Sequence, residues 1–120
     1  MLKKLVVGAL VSTVVATSAS VAFAQEWPSA KPIRVIAVFP PGGSVDQVAR
    51  ILGEALRVQL NQSVIVENIG GASGVIGTAA VAKAAPDGYT IGVVFDTHAV
   101  NPALKPGIAF DTMKDLEHIT

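Results

Sequence analysis

Between residues 31 and 95 the sequence alternates between short apolar runs and longer stretches with apolar residues at helical spacing. Short runs rich in β-branched residues and bounded by glycine, proline or asparagine predict buried strands. We predict strands at Ile33–Phe39, Ser63–Glu67 and Tyr89–Phe95, and helices from Val45 to about Leu60 and at about Val75–Ala85. The order is β-α-β-α-β, and crossovers of this length predict an α/β fold with parallel strands and right-handed connections.

The first predicted helix has an apolar face, which we expect to pack on the sheet; its members are Val45, Val48, Leu52, Ala55 and Leu56. Asp46 and Arg50 fall on the other side, at a spacing that permits an ion pair. Ser44 and Gln47 fit a capping box, so Ser44 is the predicted N-cap. Asn61-Gln62 is predicted to end the helix, whereas the chain from Asp96 onward shows no regular pattern.

Each predicted strand is followed by a polar or glycine-rich loop: Pro41–Ser44, Gly70–Gly74 and Asp96–His98. Ligands of parallel α/β sheets bind outside the carboxyl ends of the strands. The first loop joins a strand to the start of a helix, where free N–H groups and a positive helix end suit an anion. Taken alone, that loop is equally explained by a tight turn that binds nothing. Three such loops on one edge favour a binding site.

Several kinds of chemistry are disfavoured by the same loops. The first loop lacks the G-x-G-x-x-G of a dinucleotide site, and no Gly-Lys-Ser/Thr phosphate loop occurs. Asp46 stands where the nucleophile elbow of a serine hydrolase needs its second glycine. Asp96 and His98 supply two metal ligands, one fewer than a catalytic zinc site. We therefore expect no enzyme, no metal and no cofactor.

A small anion held mainly by backbone N–H groups fits the three loops. Ser44, Ser73 and Thr97 add hydroxyl donors. None of the loops contains lysine or arginine, so a mono- or dicarboxylate is favoured over phosphate.

The first 24 residues have the pattern of a cleaved signal peptide. A basic start at Met1–Lys4 precedes an apolar run at Leu5–Val15, and Ala22-Phe23-Ala24 is a cleavage site. Removal of the signal peptide leaves seven basic and nine acidic residues, a net charge of −2. Without a basic stripe, nucleic-acid binding is not expected. We expect residues 25–120 to be an exported, periplasmic domain, and the C-terminal end, which has no helix-stop signal, to fall inside that domain.

Six ordered segments carry a family resemblance: Pro28–Arg34, Phe39–Asp46, Val66–Asn68, Gly70–Gly74, Ala82–Thr90 and Thr97–Leu104. Together they resemble the Bordetella uptake gene family, the periplasmic solute receptors of tripartite tricarboxylate transporters. One departure concerns residues 104–111, where the family usually has L-Y-x-x-L-P-Y-D and this chain has Lys105 and Ala109.

The resemblance implies a two-lobed, hinged protein that binds organic acids and delivers them to integral membrane transporter subunits or a sensor protein. This chain would be about the first third of it, the first part of lobe 1. The implied ligand-binding residues are Gly42, Gly43, Ser44, Asp46, Gly71, Ala72, Ser73, Thr97 and His98. Two alternatives stay open: a small α/β enzyme for a nucleotide or acyl substrate, and a truncated product without stable ligand affinity.

Overall fold

The computed structural model describes residues 26–120 of the chain; the predicted signal peptide lies outside them. The strands are β1 (Ile33–Ala37), β2 (Val64–Asn68) and β3 (Thr90–Val93). The helices are α1 (Ser44–Leu60), α2 (Val75–Ala82) and α3 (Thr97–Leu104), and a short 3-10 turn, Ala72–Gly74, precedes α2. Within residues 26–120, no helix is both long enough and apolar enough to cross a membrane.

The three strands form one parallel sheet in the order β2-β1-β3. Ile33 lies opposite Val64, and Arg34 lies opposite Thr90. The predicted α/β class and parallel β-α-β-α-β order are therefore confirmed, although β1 and β3 are shorter than predicted. Because β1 is central, Val35, Ile36 and Ala37 are almost completely buried, which explains the apolar run that begins at Val35.

Helix α1 packs on the sheet through smaller residues than predicted. Its buried positions include Val45, Ala49 and Gly53, whereas Val48 is 52% exposed and Ala55 is also exposed. The predicted face was wrong at these two positions because it was drawn from the larger apolar side chains. A Cβ at Gly53 would lie 3.0 Å from Cγ2 of Val66, so small residues are what allow the helix to approach β2.

The two ends of α1 differ in how well they were predicted. The N-cap is Gly43, which has no side-chain capping bond, and Ser44 is the first residue of the helix. The predicted capping box was therefore wrong. Asp46 instead fixes the residue before the N-cap, since its Oδ2 accepts a hydrogen bond from the N–H of Gly42 at 2.9 Å. The helix ends as predicted at Asn61, which adopts the left-handed conformation.

Helix α2 ends at Ala82, earlier than predicted, and lies very close to the sheet at Gly77. A Cβ at Gly77 would be 2.9 Å from Cα of Val38 and closer still to the carbonyl oxygen of Ile69. Glycine is therefore required here by the approach of two backbones.

Helix α3 was missed by the sequence analysis, which expected irregular structure after Asp96. It includes Pro102, whose missing N–H removes a hydrogen bond inside the helix. Asn101 on this helix is 4% exposed. The helix therefore presents a polar side chain to the interior, next to the loop that follows β2.

Candidate functional site

The loops after the three parallel strands meet at one edge of the sheet, as predicted. The rings of Phe39 and Phe95 pack edge to face with centroids 6.2 Å apart, which joins the ends of β1 and β3. Asn68, the last residue of β2, donates a hydrogen bond from Nδ2 to the carbonyl of Phe39 at 3.1 Å. These contacts place the candidate loops side by side.

The first loop is held by the buried carboxylate of Asp46. Its Oδ1 accepts a hydrogen bond from Asn68 Nδ2 at 2.9 Å, and its Oδ2 accepts from the N–H of Gly42 and from Arg50 Nε at 3.1 Å. The predicted Asp46–Arg50 ion pair is thus present. The guanidinium, followed by the Gly42 N–H and the Asn68 amide, lowers the pKa of Asp46 to about 2. Asp46 is therefore ionised at neutral pH and orients the loop.

Gly42 and Gly43 differ in conformation. Gly42 has a φ of +90°, which requires glycine. Gly43 has a φ of −83° and a ψ of 175°, and a Cβ built there meets only the carbonyl oxygen of Pro40, at 3.8 Å. Gly43 is exposed, so a side chain at this position would extend into the space in front of the helix.

The second loop contains four consecutive residues with positive φ: Gly71 (126°), Ala72 (50°), Ser73 (58°) and Gly74 (85°). Two of the four carry a Cβ, which is unfavourable in the left-handed region. Helix α3 and the residue after it contact this loop: Asn101 Nδ2 donates to the carbonyl of Ser73 at 2.9 Å, and Lys105 Nζ donates to that of Ala72 at 2.6 Å.

The third loop forms the start of α3. Thr97 and His98 are half-buried, and the imidazole of His98 lies 5.9 Å from that of His118 between ring centroids. Burial, and then the neighbouring His118, lowers the pKa of His98. His98 is therefore neutral at pH 7 and offers one donor and one acceptor.

A cleft of about 280 Å³ lies over the first turn of α1; it is lined by Phe39, Pro40, Pro41, Gly43, Ser44, Val45 and Phe95. The first turn of a helix leaves N–H groups without partners inside the helix. The cleft therefore combines apolar walls with backbone donors, an arrangement that suits a small organic acid. Among residues 26–120, no three His, Asp or Glu side chains come together in a way that could hold a metal ion.

Comparison with known proteins agrees with this architecture. Residues 48–120 match the model of the tripartite tricarboxylate transporter family receptor, TctC. The chain belongs to this receptor family. BugT of Bordetella pertussis is 47% identical over 89 residues, which are 72% of this chain and 27% of BugT.

Two solved receptor structures from Rhodopseudomonas palustris are also similar. MatC with bound malate is 35% identical with a TM-score of 0.63, over 71% of this chain and 29% of MatC. A second protein, with adipate, is 30% identical with a TM-score of 0.67, over 73% of this chain and 29% of that protein. The TctC-family chain described here thus spans less than a third of the length of these relatives.

In this TctC-family chain, sequence reasoning missed the residues that hold the loops. Asn68 was visible as an amide at a strand end, but its two acceptors lie 22 and 29 residues away along the chain. Asn101 and Lys105 could be paired only after α3 had been recognised as a helix. The nine predicted ligand-binding residues all lie in or beside the three loops, and their contact with a ligand stays a prediction.

Proposed function

We propose that the chain is the first part of lobe 1 of an exported solute-binding receptor for small organic acids. The receptor binds a mono-, di- or tricarboxylate in a cleft between two lobes and delivers it to a membrane transporter. Membership of the TctC receptor family supports this, as do relatives with bound malate and adipate.

The observation that carries the proposal is the cleft over the first turn of α1, which the first loop and Phe95 line, with the second and third loops at the same edge of the sheet. The backbone N–H groups of Gly43 and Ser44 and the hydroxyl groups of Ser44, Ser73 and Thr97 are the donors that we assign to a ligand carboxylate. Asp46 is assigned to the loop rather than the ligand, because its two oxygens are already hydrogen-bonded.

The location and partners follow from the same proposal. Residues 1–24 serve as a signal peptide, the mature receptor works in the periplasm, and integral membrane subunits of the transporter, or a sensor protein, accept the loaded receptor. Support comes from the basic and apolar pattern of Met1–Ala24 and from the family.

The test is calorimetric titration of the full-length protein, meaning the complete receptor of which this chain is the proposed first part, with malate and with adipate. We expect binding of at least one of the two, at micromolar concentration or below. Gly43→Val should weaken that binding at least tenfold, because the new side chain extends into the cleft while the backbone of Gly43 needs no positive φ.

Ser63→Val is the matched control, since Ser63 is exposed and precedes β2 at the opposite edge of the sheet. It should bind like the wild type, and both variants should melt within a few degrees of it. Absence of binding to any small carboxylate would refute the proposed function. Unchanged affinity of a folded Gly43→Val variant would remove the first loop from the site.

A further inference from the structure

The second loop has a conformation that its own sequence does not favour. Ala72 and Ser73 both have φ values in the left-handed region, which is unfavourable for an L-residue with a Cβ. Such a conformation persists only where the surrounding structure holds it. The contacts that hold this loop from outside are therefore of functional interest.

Those contacts come from two residues one helical turn apart. Asn101 and Lys105 are at an i, i+4 spacing, and the N–H of Lys105 donates to the carbonyl of Asn101 at 2.9 Å. Side chains at this spacing lie on one face. They bind consecutive carbonyls of the loop, those of Ser73 and Ala72. Two neighbouring peptide planes are thereby fixed at once.

Fixing a carbonyl also fixes the N–H of the same peptide, because the two point in opposite directions in a trans peptide. With the carbonyl of Ala72 directed at Lys105, the N–H of Ser73 is directed away from α3. Lys105 therefore fixes the peptide that leads into Ser73, whose hydroxyl group we assign to the ligand.

Lys105 also changes the charge at this edge. The three loops contain no lysine or arginine, and Arg50 is paired with Asp46. Asp111 lines the same pocket as Lys105 but pairs with Lys114. Asp96, the N-cap of α3, lies roughly 13 Å from Lys105 along the helix. At that distance its charge is largely screened at physiological salt. The ammonium bound to Ala72 therefore brings a positive charge to the second loop.

We propose that Asn101 and Lys105 hold the Gly71–Gly74 loop in its left-handed conformation, and that the Lys105 ammonium strengthens binding of carboxylates through its charge. Only the second part of this proposal, the effect of the Lys105 charge on carboxylate binding, rests on the proposed function. It makes Lys105 a determinant of ligand affinity in this chain.

The test compares three substitutions of Lys105 in the full-length protein, titrated with malate at low and at physiological ionic strength. Lys105→Met should weaken malate binding about threefold to tenfold, because a charged donor at a partly exposed site is lost. Lys105→Arg should remain within about twofold of the wild type. Lys105→Gln, which keeps a donor but not the charge, should be intermediate and less sensitive to salt than the wild type. Lys83→Met, an exposed lysine at the far end of α2, is the control and should bind normally.

A second readout needs no ligand. The N–H groups of Gly74 and Ile76 both donate to the carbonyl of Gly71, so their hydrogen exchange reports the closed loop. Lys105→Met and Asn101→Ala should each speed this exchange by roughly tenfold, in proteins that still melt cooperatively. Lys83→Met should not change it.

The outcomes are distinct. Exchange that stays at the wild-type rate in Lys105→Met overturns the positioning role, whether or not malate binds. Wild-type malate affinity in Lys105→Met, or an equal loss in Lys83→Met, overturns the role of the charge. A wild-type protein that binds neither malate nor adipate refutes the proposed function and the charge effect together, whereas accelerated exchange would still establish the positioning role.

Discussion

At the scale of single residues, Asp46 has the largest acid-base effect among the described groups of the site. Its pKa is lowered to about 2 from an ordinary value of 3.8, chiefly by Arg50. Because the folded state binds the proton more weakly than the unfolded state, the stabilisation is present above about pH 4 and is lost as the pH falls toward 2.

We predict that Asp46→Asn lowers the melting temperature at pH 7 by roughly 5 °C or more, since it removes a charged acceptor from the Gly42, Arg50 and Asn68 donors. The difference from the wild type should shrink as the pH is lowered from 5 to 2.5, because Asp46 of the unfolded wild type then takes up a proton that the folded state binds only weakly. Thermal melts across this pH range, followed by circular dichroism, measure the difference.

Glu54→Gln provides the control, because Glu54 pairs with Arg57 at the surface and its side chain is 61% exposed. It should change the melting temperature by little at any pH. A gap between Asp46→Asn and the wild type that is as large at pH 2.5 as at pH 7 would show that the carboxylate charge is not what stabilises the loop.

The role of Asp46 also shows how far single residues can be read from the sequence. Its pairing with Arg50 was predictable, because both lie on one helix at an i, i+4 spacing. The burial of Asp46 could not be predicted, because its partner Asn68 lies on β2, far away along the chain. Ser44 fitted the capping box by spacing, but the N-cap is Gly43, and Asp46 accepts the N–H of Gly42, one residue before it.

At the scale of elements, the contact between α2 and the sheet depends on Gly77. We predict that Gly77→Ala destabilises the full-length protein by about 2 kcal/mol. A Cβ pressed against two backbones costs about 3 kcal/mol, and the higher helix propensity of alanine returns about 1 kcal/mol. Urea denaturation measures the change, with attention to whether the slope stays constant.

Gly53→Ala is the matched comparison, since it makes the same substitution on α1. There the new Cβ would meet only side-chain methyl groups, those of Val66 at 3.0 Å and Val64 at 3.5 Å, which can shift. We expect its stability to stay within about 1 kcal/mol of the wild type, because the propensity gain offsets the tight contact. Equal effects of the two substitutions would contradict the close approach at Gly77.

The elements with a regular pattern of apolar residues were the ones that could be predicted. All three strands and two of the helices follow from such patterns, and so does their parallel order. Helix α3 could not be predicted in this way, because it is eight residues long and includes Pro102. Proline usually marks the end of a helix. The buried face of α1 was misplaced at Val48 because Ala49 and Gly53, which carry little hydrophobic signal, form the contact.

At the scale of the whole molecule, apolar side chains on α2, on α3 and after β3 remain exposed. Ile76, Phe95 and Leu104 are 53%, 51% and 71% exposed. A small domain has little stability in reserve, and exposed apolar patches and strand edges favour association. The relatives are more than three times as long as the matched segment. The rest of such a chain is long enough to cover this surface.

We therefore predict that residues 25–120, expressed alone, melt without a cooperative transition or associate, and bind malate with a dissociation constant of about 1 mM or weaker. Light scattering after size-exclusion chromatography, thermal melts and calorimetry measure these properties. The full-length protein under the same conditions is the control. A monomeric, cooperatively melting segment with micromolar affinity would mean that this part of the receptor is a binding module by itself.

The central place of β1 in the sheet has a consequence for the timing of folding. Ile33 pairs with Val64, 31 residues later, and Arg34 pairs with Thr90, 56 residues later. At ordinary rates of synthesis the ribosome needs roughly 3–11 s to make the intervening 56 residues. During that time the most apolar strand of the domain has only one neighbour or none. The first strand to be made thus gains its second neighbour only after β3 has been synthesised.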